Sequence, residues 1–186
     1  MGSGVEAARF CEKPWPHLEF DEFLRPEDAA HIASNWPVDG FQWLRHSDIA
    51  QADGTSLRRV QPLSRAFSDI AERLCSPEVE FALRRRLGVD MRTLYPIAQL
   101  VEDLPGYWIR RHTDCAGKVI SAQVYLAEDD QHPTQGACFE EKQMPYLFNH
   151  GYAFKVTNHS WHRVRRSATR RRSVQLIYYS IPNPRV

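Results

Sequence analysis

Hydrophobic and polar positions follow two different periods along this chain, and the change falls near residue 92. Before it the spacing is helical. Pro26 stands in a first turn with Glu27 and Asp28 beside it, which suits a helix N-terminus, and the pattern stops near Pro37. Phe67, Ile70, Ala71 and Leu74 share one helical face within 64–75. Ser76-Pro77-Glu78 opens a third helix that runs to about Leu87, with Gly88 as its C-cap. After residue 92 the pattern changes to short strands over 92–101, 108–112, 119–126, 136–140, 152–156 and 173–181, with a turn at Pro105-Gly106. Regularly spaced short strands point to a sandwich or barrel. The predicted architecture is mainly β with N-terminal helices: residues 1–91 form a helical region packed on 92–186, a double-sheet jelly roll, within one structural domain.

Composition narrows the function. The chain has 186 residues, enough for one self-supporting core, and its 42% hydrophobic and 25% charged content is that of an ordinary soluble protein. A net charge of +1 argues against a general nucleic-acid binder, although Arg163, Arg165, Arg166, Arg170, Arg171 and Arg172 crowd one stretch. No apolar run reaches the length of a membrane span, roughly 18 residues. The N-terminus lacks the basic-then-apolar order of a secretory signal. Cys11, Cys75, Cys115 and Cys138 form no CxxC pair, so reduced thiols and a cytoplasmic location are expected, and a zinc ribbon is not.

The candidate chemistry begins at Trp108-Ile109-Arg110-Arg111-His112-Thr113-Asp114. His112 and Asp114 stand two apart at a strand end, where the period of two puts both side chains on one face. A third ligand must come from elsewhere, and Asn158-His159-Ser160-Trp161-His162 offers His162, with His159 as the alternative. Two imidazoles and one carboxylate on one face of an octahedron leave three open positions, the arrangement of non-haem Fe(II) oxygenases. A second HxD, His46-Ser47-Asp48, lies among segments with no strand pattern and is background. Nine residues after His162 come Arg171-Arg172-Ser173. Arg171 and Ser173 share a strand face, and a guanidinium can grip a carboxylate with two parallel hydrogen bonds. Arg170 and Arg172 are the alternatives, since only alternate residues face one side.

With these parts in this order, the segments GYWIRRHTD, KVISAQVYLAED, GACFEE and SWHRVRRSATRRRSVQLIYY resemble the 2-oxoglutarate/Fe(II)-dependent dioxygenases, in their prolyl-hydroxylase-like branch, over residues 106–179. The resemblance implies a double-stranded β-helix, a cupin-like jelly roll. It implies Fe(II) on His112, Asp114 and His162, with His162 favoured over His159. It implies 2-oxoglutarate as co-substrate with O2, its distal carboxylate held by Arg171, Ser173 and Tyr125. The implied reaction is hydroxylation of an unactivated C–H coupled to decarboxylation of 2-oxoglutarate to succinate. Asp114 argues against halogenase relatives, which lack the carboxylate ligand. The competing readings are a cupin-like metal-binding protein or isomerase without redox chemistry, and a zinc hydrolase. The expected substrate is a small metabolite or a carrier- or protein-bound residue, with the spare arginines suggesting an anionic group and no nucleic acid or membrane involved.

Other residues receive plainer expectations. Gln99 and Gln123 read as satisfied sheet residues, Lys118 as solvated, Cys115 as structural and pointing away from Asp114, and Trp43, Trp108 and Trp161 as core. Arg84-Arg85-Arg86 reads as a solvated helix face.

Overall fold

The computed structural model describes residues 4–44, 57–129 and 132–182; the second HxD at 46–48 lies outside them. A short α1 (Gly4–Ala7) that was not expected comes first, and the three expected helices form as α2 (Pro26–Ser34), α3 (Ser68–Leu74) and α4 (Pro77–Leu87). Ser76 caps α4 by accepting the Val79 N–H, Pro77 opens it, and Gly88 ends it at φ +62°. The helix expected over 64–75 is broken instead. Leu63–Arg65 is a 3₁₀ turn, and α3 begins at Ser68.

The N-terminal region also differs from a purely helical one. It contributes strands β1 (Arg9–Cys11), β2 (His17–Phe20), β3 (Gln42–Trp43) and β4 (Arg58–Pro62). These strands are short, and β4 is mostly polar because one of its faces meets a cavity and the other an ion-pair cluster. No apolar alternation betrays it. The remaining strands are β5 (Tyr95–Asp103), β6 (Ile109–His112), β7 (Lys118–Tyr125), β8 (Ala137–Phe139), β9 (Lys142–Gln143), β10 (Gly151–Lys155), β11 (His162–Val164) and β12 (Arg171–Tyr179).

An eight-stranded sheet runs β1-β2-β10-β7-β12-β5-β4-β3, and a four-stranded sheet runs β6-β11-β8-β9. This is the jelly roll expected from the strand pattern. The larger sheet sorts its residues by the pleat. Leu100, Ile120, Ala122, Val124, Val174 and Leu176 face the helices and form the main core with Ile32, Leu63, Ile70 and Leu83. Between the sheets, Trp15, Tyr125, Phe139, Tyr146, Tyr152 and Phe154 fill one end with an aromatic cluster. Gly136 is needed there: a Cβ would lie 2.1 Å from the Met144 carbonyl oxygen and 3.3 Å from the Tyr125 hydroxyl. The other end is left open and polar, and it holds the candidate site.

Candidate active site

Strand pairing, rather than sequence proximity, assembles the three expected ligands. In the β6–β11 pair, His162 stands directly opposite His112, and the two ring centroids are 4.3 Å apart. Asp114 follows two residues beyond His112, and one ligand atom from each of the three lies within 4.8 Å of the others. His159 is exposed and outside this group.

Both rings are held the same way. His112 Nδ1 lies 2.9 Å from the Arg110 carbonyl oxygen, and His162 Nδ1 lies 2.9 Å from the Ser160 carbonyl oxygen. A carbonyl only accepts, so each Nδ1 carries a proton, and Nε2 is the ring atom left to act as a ligand. Backbone orientation of a ring through its second nitrogen is what metal-ligating histidines use. Burial holds the His162 imidazole below its ordinary pKa, so it is neutral, as a ligand must be. Burial pushes the Asp114 carboxyl up, but Lys118, His162 and His112 outweigh it and leave it below its ordinary range. Asp114 Oδ1 accepts from Lys118 Nζ at 2.8 Å, while Oδ2 is buried with no hydrogen-bond partner among the described residues. A buried, ionised oxygen without a partner beside two imidazole Nε2 atoms is a donor set that fits a divalent cation.

A cavity of about 380 Å³ opens over these residues. Its floor is the inner face of the large sheet, where Gln99, Gln175 and Gln123 stand side by side on β5, β12 and β7. Gln99 donates to Gln175 at 2.8 Å, Tyr152 donates to Gln123 at 2.8 Å, and Gln123 donates to Ser173 at 2.8 Å. The glutamines are satisfied, as expected, but they also face the cavity.

The Arg171 side chain is 2% exposed and lies on that same inner face. Its Nε and Nη1 have no hydrogen-bond partner among the described residues. Asp103 Oδ2 lies 3.8 Å from Nη1, too far for a hydrogen bond, because both Asp103 oxygens are taken by Arg58 at 2.6 and 2.9 Å. The Tyr107 hydroxyl is also buried without a partner, and burial pushes its pKa well up, so it stays a neutral donor. Ser173 sits opposite Tyr125 in the β12–β7 pair, and the Tyr125 hydroxyl accepts the Ala137 N–H at 2.8 Å. Arg171, Ser173 and Tyr125 thus come together, with the Arg171 guanidinium 5.8 Å from the Tyr125 ring centre. None of the three lines the cavity directly; Gln123 joins Ser173 to it, whereas Arg58 does line it. Arg170 is half-exposed and Arg172 points to the outer face, where both approach Glu102.

Four expectations need correcting. Lys118 is not solvated: its side chain is 15% exposed and bonded to Asp114. Cys115 is exposed at the cavity edge rather than structural. Trp43 and Trp108 are 51% and 42% exposed rather than core; Trp43 stands on the edge strand β3 with Arg59 over its ring. Arg84-Arg85-Arg86 is also more than a solvated face, since Arg86 donates to the Val5, Glu6 and Ala8 carbonyls and secures α1. Arg58, Tyr107 and Gln175 carried no sequence signal of their own. Cross-strand pairing reveals Arg58 opposite Asp103 and Gln175 opposite Gln99, and Tyr107 is found by its ring beneath the Arg58 guanidinium.

No family model matches the sequence, and no curated protein matches it. Solved structures do. The chain is similar to a prolyl-4-hydroxylase from Pseudomonas putida, with a TM-score of 0.67, 16% identity, and coverage of 88% of this chain and 91% of that one. It is similar to HygX from Streptomyces hygroscopicus with nickel and 2-oxoglutarate bound, at TM-score 0.62 and 9% identity over 88% and 82% of the two chains. It is also similar to SnoN, a non-haem alpha-ketoglutarate-dependent epimerase from nogalamycin biosynthesis, at TM-score 0.58 and 11% identity over 88% and 78%. The fold is therefore that of the prolyl-hydroxylase-like 2-oxoglutarate oxygenases.

Proposed function

We propose that this protein is an Fe(II)- and 2-oxoglutarate-dependent oxygenase that hydroxylates an unactivated C–H. The observation that carries the reading is the pairing of two orphaned groups in one fold. The unpartnered Asp114 oxygen sits with two Nε2 atoms, and the unpartnered Arg171 N–H groups lie along the same inner sheet face. A metal alone would account for the first and a carboxylate alone for the second. 2-Oxoglutarate bound to iron accounts for both.

His112, Asp114 and His162 would hold the iron, which supplies the oxidising chemistry with O2. Arg171 and Ser173 would bind the distal carboxylate, with Tyr125 stacked behind the guanidinium and Tyr107 an added donor. Asp103, already saturated by Arg58, leaves the buried Arg171 guanidinium charge with two nitrogens unbonded among the described residues. That charge suits the distal carboxylate of the co-substrate. Gln123 separates Ser173 from the cavity, so its amide must turn for the co-substrate to reach Arg171. The residual space is walled by Ile109, Val164 and Ile177, with Arg110 and Arg58 also on its wall. This favours a small or tethered substrate with an apolar reacting carbon. The walls also limit water at the reacting carbon.

The test is an anaerobic titration of metal-free protein with Fe(II) and 2-oxoglutarate, followed by visible absorption. A charge-transfer band that needs both additions, and is missing in Asp114→Ala, is expected. A folded wild-type protein that binds metal without any response to 2-oxoglutarate would replace this reading with that of a cupin-like metal-binding protein or isomerase.

A further inference from the structure

Lys118 occupies its place through an irregularity in the sheet. Along β7, Ile120, Ala122 and Val124 face the helices, and strict alternation would send Lys118 to that same apolar side. The β7–β12 register shifts at this point. Tyr178 pairs with Ile120, and Tyr179 pairs with Lys118, so Val119 is skipped. Val119 packs against the helix-side core together with Ile120. The extra residue is a β-bulge, and it turns Lys118 into the cavity. Gly117, at φ +95°, makes the tight turn that precedes it. The Lys118 N–H bonds back to the Cys115 carbonyl at 3.3 Å, which ties the lysine to the loop carrying Asp114.

We propose that Lys118 is a positioning residue that makes Asp114 a one-oxygen ligand. This rests on the metal-centre reading above. Lys118 Nζ holds Oδ1 at 2.8 Å, and the other oxygen, Oδ2, is the one left without a partner. A carboxylate with both oxygens free can close on a metal with both, and it then fills a position that the co-substrate needs. With Oδ1 committed to an ammonium, only Oδ2 is available, and three positions stay open. A lysine serving only to neutralise the empty site would act differently. It would compete with the metal and have no influence on the co-substrate.

The experiment compares wild type, Lys118→Met and Lys118→Arg as purified, metal-free proteins under anaerobic conditions. Each is loaded with Co(II) for its visible ligand-field spectrum, and separately with Fe(II) for titration with 2-oxoglutarate. In K118M, metal binding is expected to be as tight as in wild type or tighter, because a nearby cation is gone. Its Co(II) spectrum should shift, and its 2-oxoglutarate affinity should fall about tenfold or more, the size expected for a lost charge-assisted hydrogen bond. K118R should restore both toward wild type. Should K118M not fold, Lys118→Gln, one bond shorter and uncharged, replaces it with the same expected shifts. A wild-type Co(II) spectrum and a wild-type 2-oxoglutarate affinity in the neutral variant would overturn the proposal. If the wild-type chain takes up no metal, the metal-centre reading fails and this proposal with it; that result is distinct from a normal wild type with an unaffected variant.

Discussion

Strands β4, β5 and β12 carry the same arrangement of charges twice, once on each face. Arg58, Asp103 and Arg171 stand in a row on the inner face, and one residue along, Arg59, Glu102 and Arg172 stand in a row on the outer face. Both carboxylates are fully buried, with side chains 1% exposed. The difference lies in the arginines. Outside, Arg59 and Arg172 are 26% and 20% exposed; Arg59 lies over Phe41 and Trp43, and Arg172 lies over Trp36 and also pairs with Glu128. They reach water and every charge has company. Inside, Arg171 is 2% exposed and two of its nitrogens bond nothing. Burying a guanidinium with its N–H groups unbonded is costly, so the inner row makes physical sense with a further anion present, and the outer row is complete as it stands. The same residue types form a binding site on one face and a structural clasp on the other, and solvent access to the arginines decides which.

The largest effect that separates the rows should come from the central acids. Asp103→Asn strands Arg58 and Arg171 in the interior, and removing one partner of a buried pair costs about 3–5 kcal/mol. Glu102→Gln leaves arginines that can turn to water, and a partly exposed pair of that kind is worth about 1 kcal/mol or less. Denaturant unfolding of the two variants checks this, and equal losses would dissolve the distinction. Next in size is Arg171→Met. It should weaken 2-oxoglutarate binding about ten- to a hundred-fold, the loss of roughly 1.5–3 kcal/mol from a charge-assisted contact. Metal binding and the stability of the ligand-free protein should hold or improve, because an unsatisfied buried cation has gone. Calorimetric titration with 2-oxoglutarate and a melting curve without it measure the two sides. A variant that binds the co-substrate normally would show that Arg58, which lines the cavity, takes the carboxylate instead.

What the sequence revealed and what it hid follow the same division. His112 and Asp114 are legible because two ligands on one strand end obey the period of two. His162 was favoured over His159 by its family-like spacing and Arg171 over Arg170 and Arg172 by its pairing with Ser173; the β6–β11 pair sets His162 opposite His112, and the pleat of β12 puts Arg171 on the inner face. The jelly roll was legible from strand spacing. The strands of the N-terminal region were not, because β4 faces polar groups on both sides and so lacks the apolar alternation that marks a strand. Lys118 was hidden for the opposite reason: the alternation rule is definite there and gives the wrong face, since the bulge at Val119 reverses it. Local pattern finds residues that keep the period, and the residues that tune this site either break it or meet only through cross-strand pairing.

The smallest expected effect is the sharpest test of register. Arg172→Met removes one of the cations near Glu102, but Arg59 and Arg170 stay beside that carboxylate. The loss in stability should be about 1 kcal/mol or less, and it should shrink further in high salt, since the pair is partly in water. Its 2-oxoglutarate affinity should equal that of wild type, because the side chain lies on the opposite face of β12 from Ser173 and Gln175. A slip of one residue along a strand exchanges its two faces completely. If Arg172→Met lost co-substrate binding while Arg171→Met kept it, β12 would be paired one residue out of register, and the inner and outer rows would exchange roles.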